Sequence, residues 1–381
     1  MKKLMLPVSV LMFTAVLSAA LPGERPGESK HKLQWIDSSP MPLGRVYPEK
    51  HKDIPALRAV VFMYTRAKDS DRIFVMLENL RRRYQGKVLI SAITPDQVKD
   101  ARAIRQKHPD SRIRLAVDLS RKLTPEFMSN TIMLFPMAFL LDADGVVLWR
   151  GEAVDLPEVI ERQSAGKLDL QMVKICDPLI YKMQQAMRDG NLFKARDAAL
   201  TVLENDPVNP SALRMLIFAS ESLGDVNPAW NALNRATGKN PLPRLYFTAL
   251  DLMMRHEHLR SKLPGVIVSF GKRPYTPEVR CAFIDALLNN FQFESAAVLG
   301  AKDILAGTPM AMNAAPLQLG QLLAVRARLN YALGNLALAE ADMSEAVEFL
   351  RKSTEKEFLK QMEKQLKFFR ELLKAAGGNA R

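Results

Sequence analysis

Short apolar runs alternate with segments of helical periodicity in the first part of the chain. Runs of four to eight apolar residues are typical of buried strands, and apolar residues that recur every three or four positions predict a helix. The predicted strands are 59–64, 87–93 and 113–117, and the predicted helices between them are 73–80 and 95–109. This β-α-β-α-β order predicts an α/β sandwich with a central sheet.

Two further apolar runs follow, with a short polar turn between them. Residues 135–141 and 146–149 flank the sequence Asp-Ala-Asp-Gly at 142–145. An Asp/Gly turn between apolar runs predicts a β-hairpin in which the glycine has positive φ. Asp155 and Glu158 then have the spacing of a capping box and predict the start of another helix.

The second part of the chain carries an internal repeat of helical pairs. Three residue types recur at a spacing of 34 residues, as Gly190, Ala195 and Pro207 and again as Gly224, Ala229 and Pro241. Glycine permits a tight turn between helices, alanine lets two helices approach closely, and proline cannot continue a helix. The turn and its second helix return at Gly334 and Ala339, and we expect four or five helical hairpins over 175–350.

The N-terminal residues have the three parts of a secretory signal peptide. Lys2 and Lys3 precede an apolar segment at 4–17, and residues 18–20 are small, as a signal peptidase requires. The apolar segment is shorter than the roughly 18 to 20 residues that span a bilayer. We therefore expect removal of 1–20 and a mature protein that is periplasmic or secreted. Residues 21–56, with many Pro, Gly and charged residues, predict an irregular lead-in.

Composition and charge exclude several functional classes. Hydrophobic residues make up 48% and charged residues 25%, as in ordinary globular domains. The formal net charge is +13, but acidic residues are interleaved with the basic ones, which disfavours nucleic acid as a partner. His256 and His258 lack the four-residue spacing of a helical zinc site, and we predict neither a metal nor a cofactor.

The only cysteines are Cys176 and Cys281, so no Cys-x-x-Cys redox pair can exist in this chain. Both lie in apolar, helix-like surroundings, where single cysteines are typically small buried hydrophobes. A disulfide between them stays open for an exported protein.

Residues 33 to 165 resemble the thioredoxin superfamily, in particular its exported thiol-disulfide reductase and peroxiredoxin-like branches. The resemblance is carried by Phe135-Pro136 and by the hairpin that follows, up to Gly151. It implies that Pro136 is the family's active-site proline and that the Phe135–Pro136 peptide is cis. A trans proline at the start of a strand is the alternative.

The same resemblance places the two active-site cysteines of the family at Ala67 and Ser70, with Lys68 and Asp69 between them. Thiol-disulfide exchange needs a thiolate of lowered pKa and a second thiol, and these four side chains provide neither. Ser70 lies just before the periodic apolar residues of the first helix, so we expect it to be the N-cap of that helix.

The segments Gly190–Ala195 and Gly224–Ala229 resemble the tetratricopeptide repeat. The resemblance implies stacked helical hairpins whose concave surface binds a protein or peptide segment. Residues 351–376 predict an amphipathic capping helix, which begins at a Thr354/Glu357 capping box. Its lysines leave an anionic membrane surface as a minor alternative partner.

Together these patterns predict a noncatalytic, exported interaction or adaptor protein. A thioredoxin-like domain at 57–165 would have an inactive active site, and the repeat array at 175–350 would bind a protein partner. The alternative is a thiol-disulfide oxidoreductase of the thioredoxin family. That activity would require Cys176 or Cys281 as an exposed thiolate of low pKa beside Pro136.

Overall fold

The computed structural model describes residues 21–24, 33–36, 56–121, 123, 127, 136–300, 316–353 and 355–378. The chain divides into two compact units, Met1–Ala232 and Leu233–Arg381. The predicted signal peptide, Phe135 with its peptide bond to Pro136, and Thr354 lie outside the described residues.

The first unit opens with a six-stranded sheet. Its strands are β1 (Leu33–Trp35), β2 (Leu57–Phe62), β3 (Val88–Thr94), β4 (Arg114–Asp118), β5 (Met137–Leu141) and β6 (Val147–Glu152). Their order is β1-β4-β3-β2-β5-β6. The central strands β2, β3 and β4 are parallel, whereas β5 is antiparallel to β2 and β6, and β1 is antiparallel to β4.

Helices cover one face of this sheet, and they are α1 (Ser70–Arg83), α2 (Val98–Lys107) and α3 (Leu156–Ser164). Alternate residues of β2 face opposite sides: Ala59 and Val61 join the core under these helices, and Val60 and Phe62 join a second core with Phe127. Both faces of the sheet are therefore buried, as parallel strands require. The strand order, directions and layers are those of a thioredoxin-like fold, which confirms the fold class predicted for this part of the chain.

The lead-in differs from its predicted irregular character at two places. Leu33–Trp35 forms the edge strand β1 along β4. Gly23 donates its backbone N–H to the carbonyl of Val147 (2.7 Å), and the N–H of Val147 donates to the carbonyl of Glu24 (2.9 Å). Both pieces pair with backbone groups at an edge of the sheet, and they are too short to give a periodic hydrophobic signal.

One predicted helix cap is wrong, and a second stands at the predicted helix start but lacks its capping hydrogen bond. Ser70 is the first residue of α1, not its N-cap, because its N–H already closes a turn on the carbonyl of Ala67 (3.0 Å). Asp155 is at the N-cap position of α3 but makes no capping hydrogen bond. Its carboxylate instead pairs with Arg214.

The rest of the chain is a succession of helices. Those that begin in the first unit are α4 (Leu170–Arg188), α5 (Leu192–Asn205), α6 (Pro210–Ser222) and α7 (Asn227–Lys239). Those of the second unit are α8 (Pro243–Arg255), α9 (Leu263–Gly271), α10 (Pro277–Asn289), α11 (Phe293–Gly300), α12 (Pro316–Ala332), α13 (Leu336–Arg351) and α14 (Lys356–Gly378). This series of helical pairs confirms the predicted tetratricopeptide-like, all-α architecture.

Glycines at positive φ end the first helix of three pairs, namely Gly190 (φ 70°), Gly224 (φ 74°) and Gly334 (φ 81°). At each, the glycine N–H bonds to the carbonyl three residues back and the next N–H to the carbonyl five residues back, which is a Schellman cap. Phe291 (φ 57°) makes the same two bonds after α10, at 3.1 and 2.9 Å for Phe291 and Gln292. The sequence does not reveal this fourth cap, because phenylalanine gives no turn signal.

The last helix, α14, buries one side and exposes the other. Met362, Leu366 and Phe369 pack against apolar residues of α12 and α13, while the side chains of Lys360 and Lys364 are exposed. The apolar stripe is therefore covered within the second unit. No helix in the described ranges is both long and apolar enough to cross a membrane.

Candidate functional site

The turn that would hold thiols connects β2 to α1. The N–H of Ala67 donates to the carbonyl of Tyr64 (3.2 Å), and the N–H of Ser70 donates to that of Ala67 (3.0 Å). Lys68 and Asp69 are exposed, whereas Ser70 is 5% exposed. The structure thus brings the four predicted positions together in one compact turn, with a methyl group and a buried hydroxyl where two sulfurs would be needed.

Asp96, in the loop between β3 and α2, holds this turn in place. One carboxylate oxygen, Oδ2, accepts the backbone N–H of Thr65 (2.6 Å), the Thr65 hydroxyl (2.9 Å) and the N–H of Arg66 (3.3 Å). The N–H of Asp96 in turn donates to Oγ1 of Thr94 (3.1 Å). Sequence patterns place Asp96 at the start of a helix, but α2 begins at Val98. The Asp96 carboxylate instead accepts hydrogen bonds from the loop that follows β2. Only the rule that carboxyl ends of parallel strands meet at one edge could have indicated this contact.

A histidine and a carboxylate lie close to Ser70 but do not make a nucleophile of it. His108 Nε2 is 3.2 Å from Asp71 Oδ1, and Lys107 Nζ donates to Asp71 Oδ2 (2.9 Å). The hydrogen bond from Lys107, with that from His108, lowers the pKa of the Asp71 carboxyl although desolvation opposes the shift. In the described residues no hydrogen bond joins Ser70 to His108. An activated serine is hydrogen-bonded to its base, and His108 does not take that position beside Ser70.

Pro136 precedes β5, close to the ends of both neighbouring strands. Met137 pairs with Phe62 on one side and with Glu152 on the other, and the carbonyl of Pro136 accepts the N–H of Ala153 (3.0 Å). The geometry of the Phe135–Pro136 peptide stays a prediction, since Phe135 is outside the described residues.

Neither cysteine has the surroundings of a reactive thiol. Cys176 on α4 is 2% exposed; desolvation, reinforced by the nearby carboxylate of Asp206, raises the pKa of its thiol to about 11. Cys281 on α10 is 7% exposed, and both are free thiols. A thiol of raised pKa stays protonated near neutral pH, whereas nucleophilic attack requires the thiolate.

Ion pairs of three arginines, Arg150, Arg162 and Arg214, join the thioredoxin-like module to the first repeat helices in the described part of the first unit. Arg150 of β6 and Asp177 of α4 form a two-pronged pair, with both N–O distances 2.7 Å and side chains 7% and 13% exposed. Arg162 of α3 pairs with Asp206, the residue after α5, at 2.8 Å. Arg214 of α6 pairs with Glu152 (2.8 Å) and with Asp155, at the end of β6 and just after it. No feature of the sequence predicts these partners, which are 27 to 62 residues apart.

The repeat residues singled out in the sequence lie at turns and helix contacts. Ala195, Ala229 and Ala339 are fully buried in the second helices of their pairs. Pro207 follows α5, and Pro241 follows α7. In the described part of the chain, no three His, Cys, Asp or Glu side chains converge as metal ligands.

Among solved structures, the chain is similar in part to three proteins. A protein provisionally named thiol:disulfide interchange protein DsbE, from Chlorobium tepidum, is 18% identical with a TM-score of 0.27, over 31% of this chain and 84% of that one. A thioredoxin-like protein from Aeropyrum pernix is 17% identical with a TM-score of 0.25, over 28% and 77%. A tetratricopeptide repeat protein from Parabacteroides merdae is 14% identical with a TM-score of 0.32, over 51% and 73%.

No protein-family model and no curated protein matches the sequence. The likenesses to solved structures have low scores and carry no functional conclusion. Assignment of the fold depends on the strand order and helix pairs described above.

Proposed function

We propose that this chain is an exported, noncatalytic interaction protein. A thioredoxin-like module that lacks thiols is fixed to a tetratricopeptide-like array, and the array binds a segment of a partner protein. The observation that carries the proposal is the turn at Ala67–Ser70, which has no nucleophile and is tied down by Asp96. Helical repeat arrays generally act through extended binding surfaces, which supports a protein or peptide partner.

The competing function is thiol-disulfide exchange, which the fold alone would suggest. It needs a thiolate at the turn or a remote cysteine that can reach a substrate. The burial of Cys176 and Cys281, and the raised pKa of Cys176, favour the interaction function over this alternative.

Reduction of insulin disulfides by dithiothreitol distinguishes the two functions. We expect the purified chain to leave the rate at the background level. The variant with Ala67→Cys and Ser70→Cys serves as the matched control, since it places two thiols in the turn that leads into α1 and should acquire a dithiol that titrates with Ellman's reagent. Insulin reduction by the unmodified chain that disappears in Cys176→Ser or Cys281→Ser would contradict the proposal.

Export is proposed from the N-terminal pattern of two lysines, an apolar segment and small residues. Cell fractionation followed by N-terminal sequencing tests it. The expected product begins at Leu21 and is found outside the cytoplasm. A cytoplasmic chain that retains Met1 would overturn this part of the proposal.

A further inference from the structure

Three aromatic side chains meet where α14 packs on α12, within the second unit. The ring centroid of Tyr331 is 5.8 Å from that of Phe368 and 5.1 Å from that of Phe369, and the two phenylalanine centroids are 5.9 Å apart. Phe369 is buried, whereas Tyr331 is 42% exposed and Phe368 is 45% exposed. Aromatic rings at these separations attract one another. Tyr331 and Phe368 therefore form one fixed aromatic patch, supported from below by a buried ring.

The aromatic patch is not purely apolar. Its two rings meet edge-on, at an interplanar angle of 73°. In the described ranges, no residue makes a hydrogen bond with the Tyr331 hydroxyl. A phenolic O–H can donate a hydrogen bond, so the patch offers a polar donor at the margin of two ring faces. Such a combination suits a ligand that has both apolar and polar groups.

Lys364 adds a positive charge beside the patch. It lies one helical turn before Phe368 on the same side of α14, and its side chain is exposed. None of the described carboxylates forms an ion pair with Lys364. Glu371, one turn after Phe368, is instead paired with Lys367 (3.9 Å). The charge that adjoins the patch without a counter-charge is therefore positive.

The other charged groups near the patch do not reverse this sign. On α12, Arg328 lies one turn before Tyr331 but is paired with Asp285 of α10. On α14, the exposed Glu357 is on the side of Lys364 but two turns away from it, about 10 Å along the helix axis. A ligand that complements this surface thus carries a negative charge next to an apolar group.

We propose that Tyr331, Phe368 and Lys364 form the docking surface for a partner segment in which an acidic residue adjoins an aromatic or large aliphatic one. This inference rests on the proposed interaction function and specifies where and with what chemistry the partner binds. The apolar side chain packs on the two rings. The carboxylate accepts hydrogen bonds from the Lys364 ammonium and the Tyr331 hydroxyl, and bonds to charged groups are the stronger kind.

A peptide selection provides the test. A random peptide display library is selected on the whole chain, and the strongest peptide is labelled for fluorescence anisotropy. Its Kd is measured with the wild type, Phe368→Ser and Lys364→Glu. The matched controls are Phe193→Ser and Lys272→Glu, since both side chains are exposed and lie on other helices. Thermal melts show whether each variant is folded, and Lys364→Glu tests the surface without touching the packed rings.

The proposal predicts peptides in which Asp or Glu adjoins an aromatic or large aliphatic residue. Their affinity should fall by about three- to tenfold between low salt and about 0.5 M salt, because the paired charges are partly exposed. Phe368→Ser and Lys364→Glu should each weaken binding by about tenfold. The two control variants should change the Kd by less than about twofold.

Selection of neutral or basic peptides, or equal binding by all variants, would refute this docking surface and leave the interaction function intact. Two further measurements cover other occupants of the patch. Binding to vesicles of phosphatidylserine and phosphatidylcholine that is lost in Lys364→Glu, with no peptide selected, would assign the patch to an anionic membrane and overturn the proposal. A dimer in sedimentation velocity that dissociates in Phe368→Ser would assign it to a second copy and also overturn it. Absence of peptide, vesicle and self-association would count against both proposals.

Discussion

At the scale of single residues, Asp96 connects two loops at the edge of the sheet. Its Oδ2 atom accepts three hydrogen bonds from Thr65 and Arg66, and its side chain is 10% exposed. A carboxylate with several charge-assisted hydrogen bonds fixes a loop more firmly than neutral contacts do. Asp96 therefore ties the loop after β3 to the segment that leads into α1.

Replacing this carboxylate should destabilise the protein. We expect Asp96→Ala to lower the free energy of unfolding by about 2 kcal/mol, because buried donors on Thr65 lose a charged acceptor. Urea denaturation followed by circular dichroism measures the change. Asp110→Ala is the control, since Asp110 is exposed in the loop after α2. Equal stability of the two variants would show that Asp96 does not hold the turn.

Glu78 is a second buried carboxylate, and its titration links stability to pH. Burial alone would raise its pKa, but hydrogen bonds from Arg81, Ser111 and the N–H of Arg112 outweigh burial and lower the pKa from 4.5 to about 2. A carboxyl whose pKa is depressed in the folded state stabilises the protein above its unfolded pKa. That contribution is lost as the pH falls from about 4.5 towards 2.

The variant Glu78→Gln should accordingly be less stable than the wild type at pH 7, by on the order of 2 kcal/mol. The difference should shrink as the pH falls below 4.5 and should vanish near pH 2. Thermal melts from pH 2 to 7 measure this convergence. A difference that stays constant across the range would mean that Glu78 does not titrate as described.

At the scale of elements, four Schellman turns of the described chain share one backbone conformation. Three of them have glycine at the position with positive φ, and the fourth has Phe291. Phe291 has φ 57°, which is unfavourable for a residue with a side chain. It is 78% exposed, and its ring contacts that of Phe293 edge-on at 6.1 Å. Little packing therefore offsets the backbone strain.

The substitution Phe291→Gly should stabilise the turn by about 0.5 to 1 kcal/mol, because glycine adopts positive φ without steric cost. Gly334→Ala, at the equivalent turn, should destabilise by about 1 kcal/mol for the converse reason. Differential scanning calorimetry shows whether each variant has a higher or a lower melting temperature than the wild type. A loss of stability in Phe291→Gly would show that the contact with Phe293 outweighs the strain.

Most elements could be predicted from the sequence, since they are long enough to show a hydrophobic period. The strands at 59–64 and 113–117 and the helix pairs around Gly190 and Gly334 are such cases. The three-residue strand β1 could not, because it is too short to show a hydrophobic period and is held by backbone pairs with β4, which is distant in sequence. The capping-box pattern at Asp155 correctly predicted the start of a helix. It did not predict the hydrogen bonds of the carboxylate, which binds a distant arginine instead of the helix backbone.

At the scale of the whole molecule, the ion pairs between the module and the repeat helices are contacts for which the sequence pattern gives no signal. Arg150 and Asp177 are both more than four-fifths buried. Such a pair contributes little relative to apolar packing, but loss of one partner leaves a buried charge. The contacts between the module and the repeat helices could not be predicted from the sequence because their residues meet only when α4 and α6 dock on β6.

A double-mutant cycle tests this docking. Arg150→Ala and Asp177→Ala should each destabilise the protein by about 3 kcal/mol, and the double variant by clearly less than their sum. Chemical denaturation monitored by tryptophan fluorescence, with Trp149 in β6 as a reporter, gives the three values. Strict additivity would show that the two side chains do not act as a pair.

The central claim is that the protein functions without sulfur chemistry. The most direct measurement is the affinity of the cysteine-free chain, Cys176→Ala with Cys281→Ala, for a peptide selected on the wild type from a random display library. We predict a Kd within about twofold of the wild-type value and no covalent adduct in the mass spectrum. A loss of binding in the folded cysteine-free chain, or a mixed disulfide between peptide and wild type, would contradict the account.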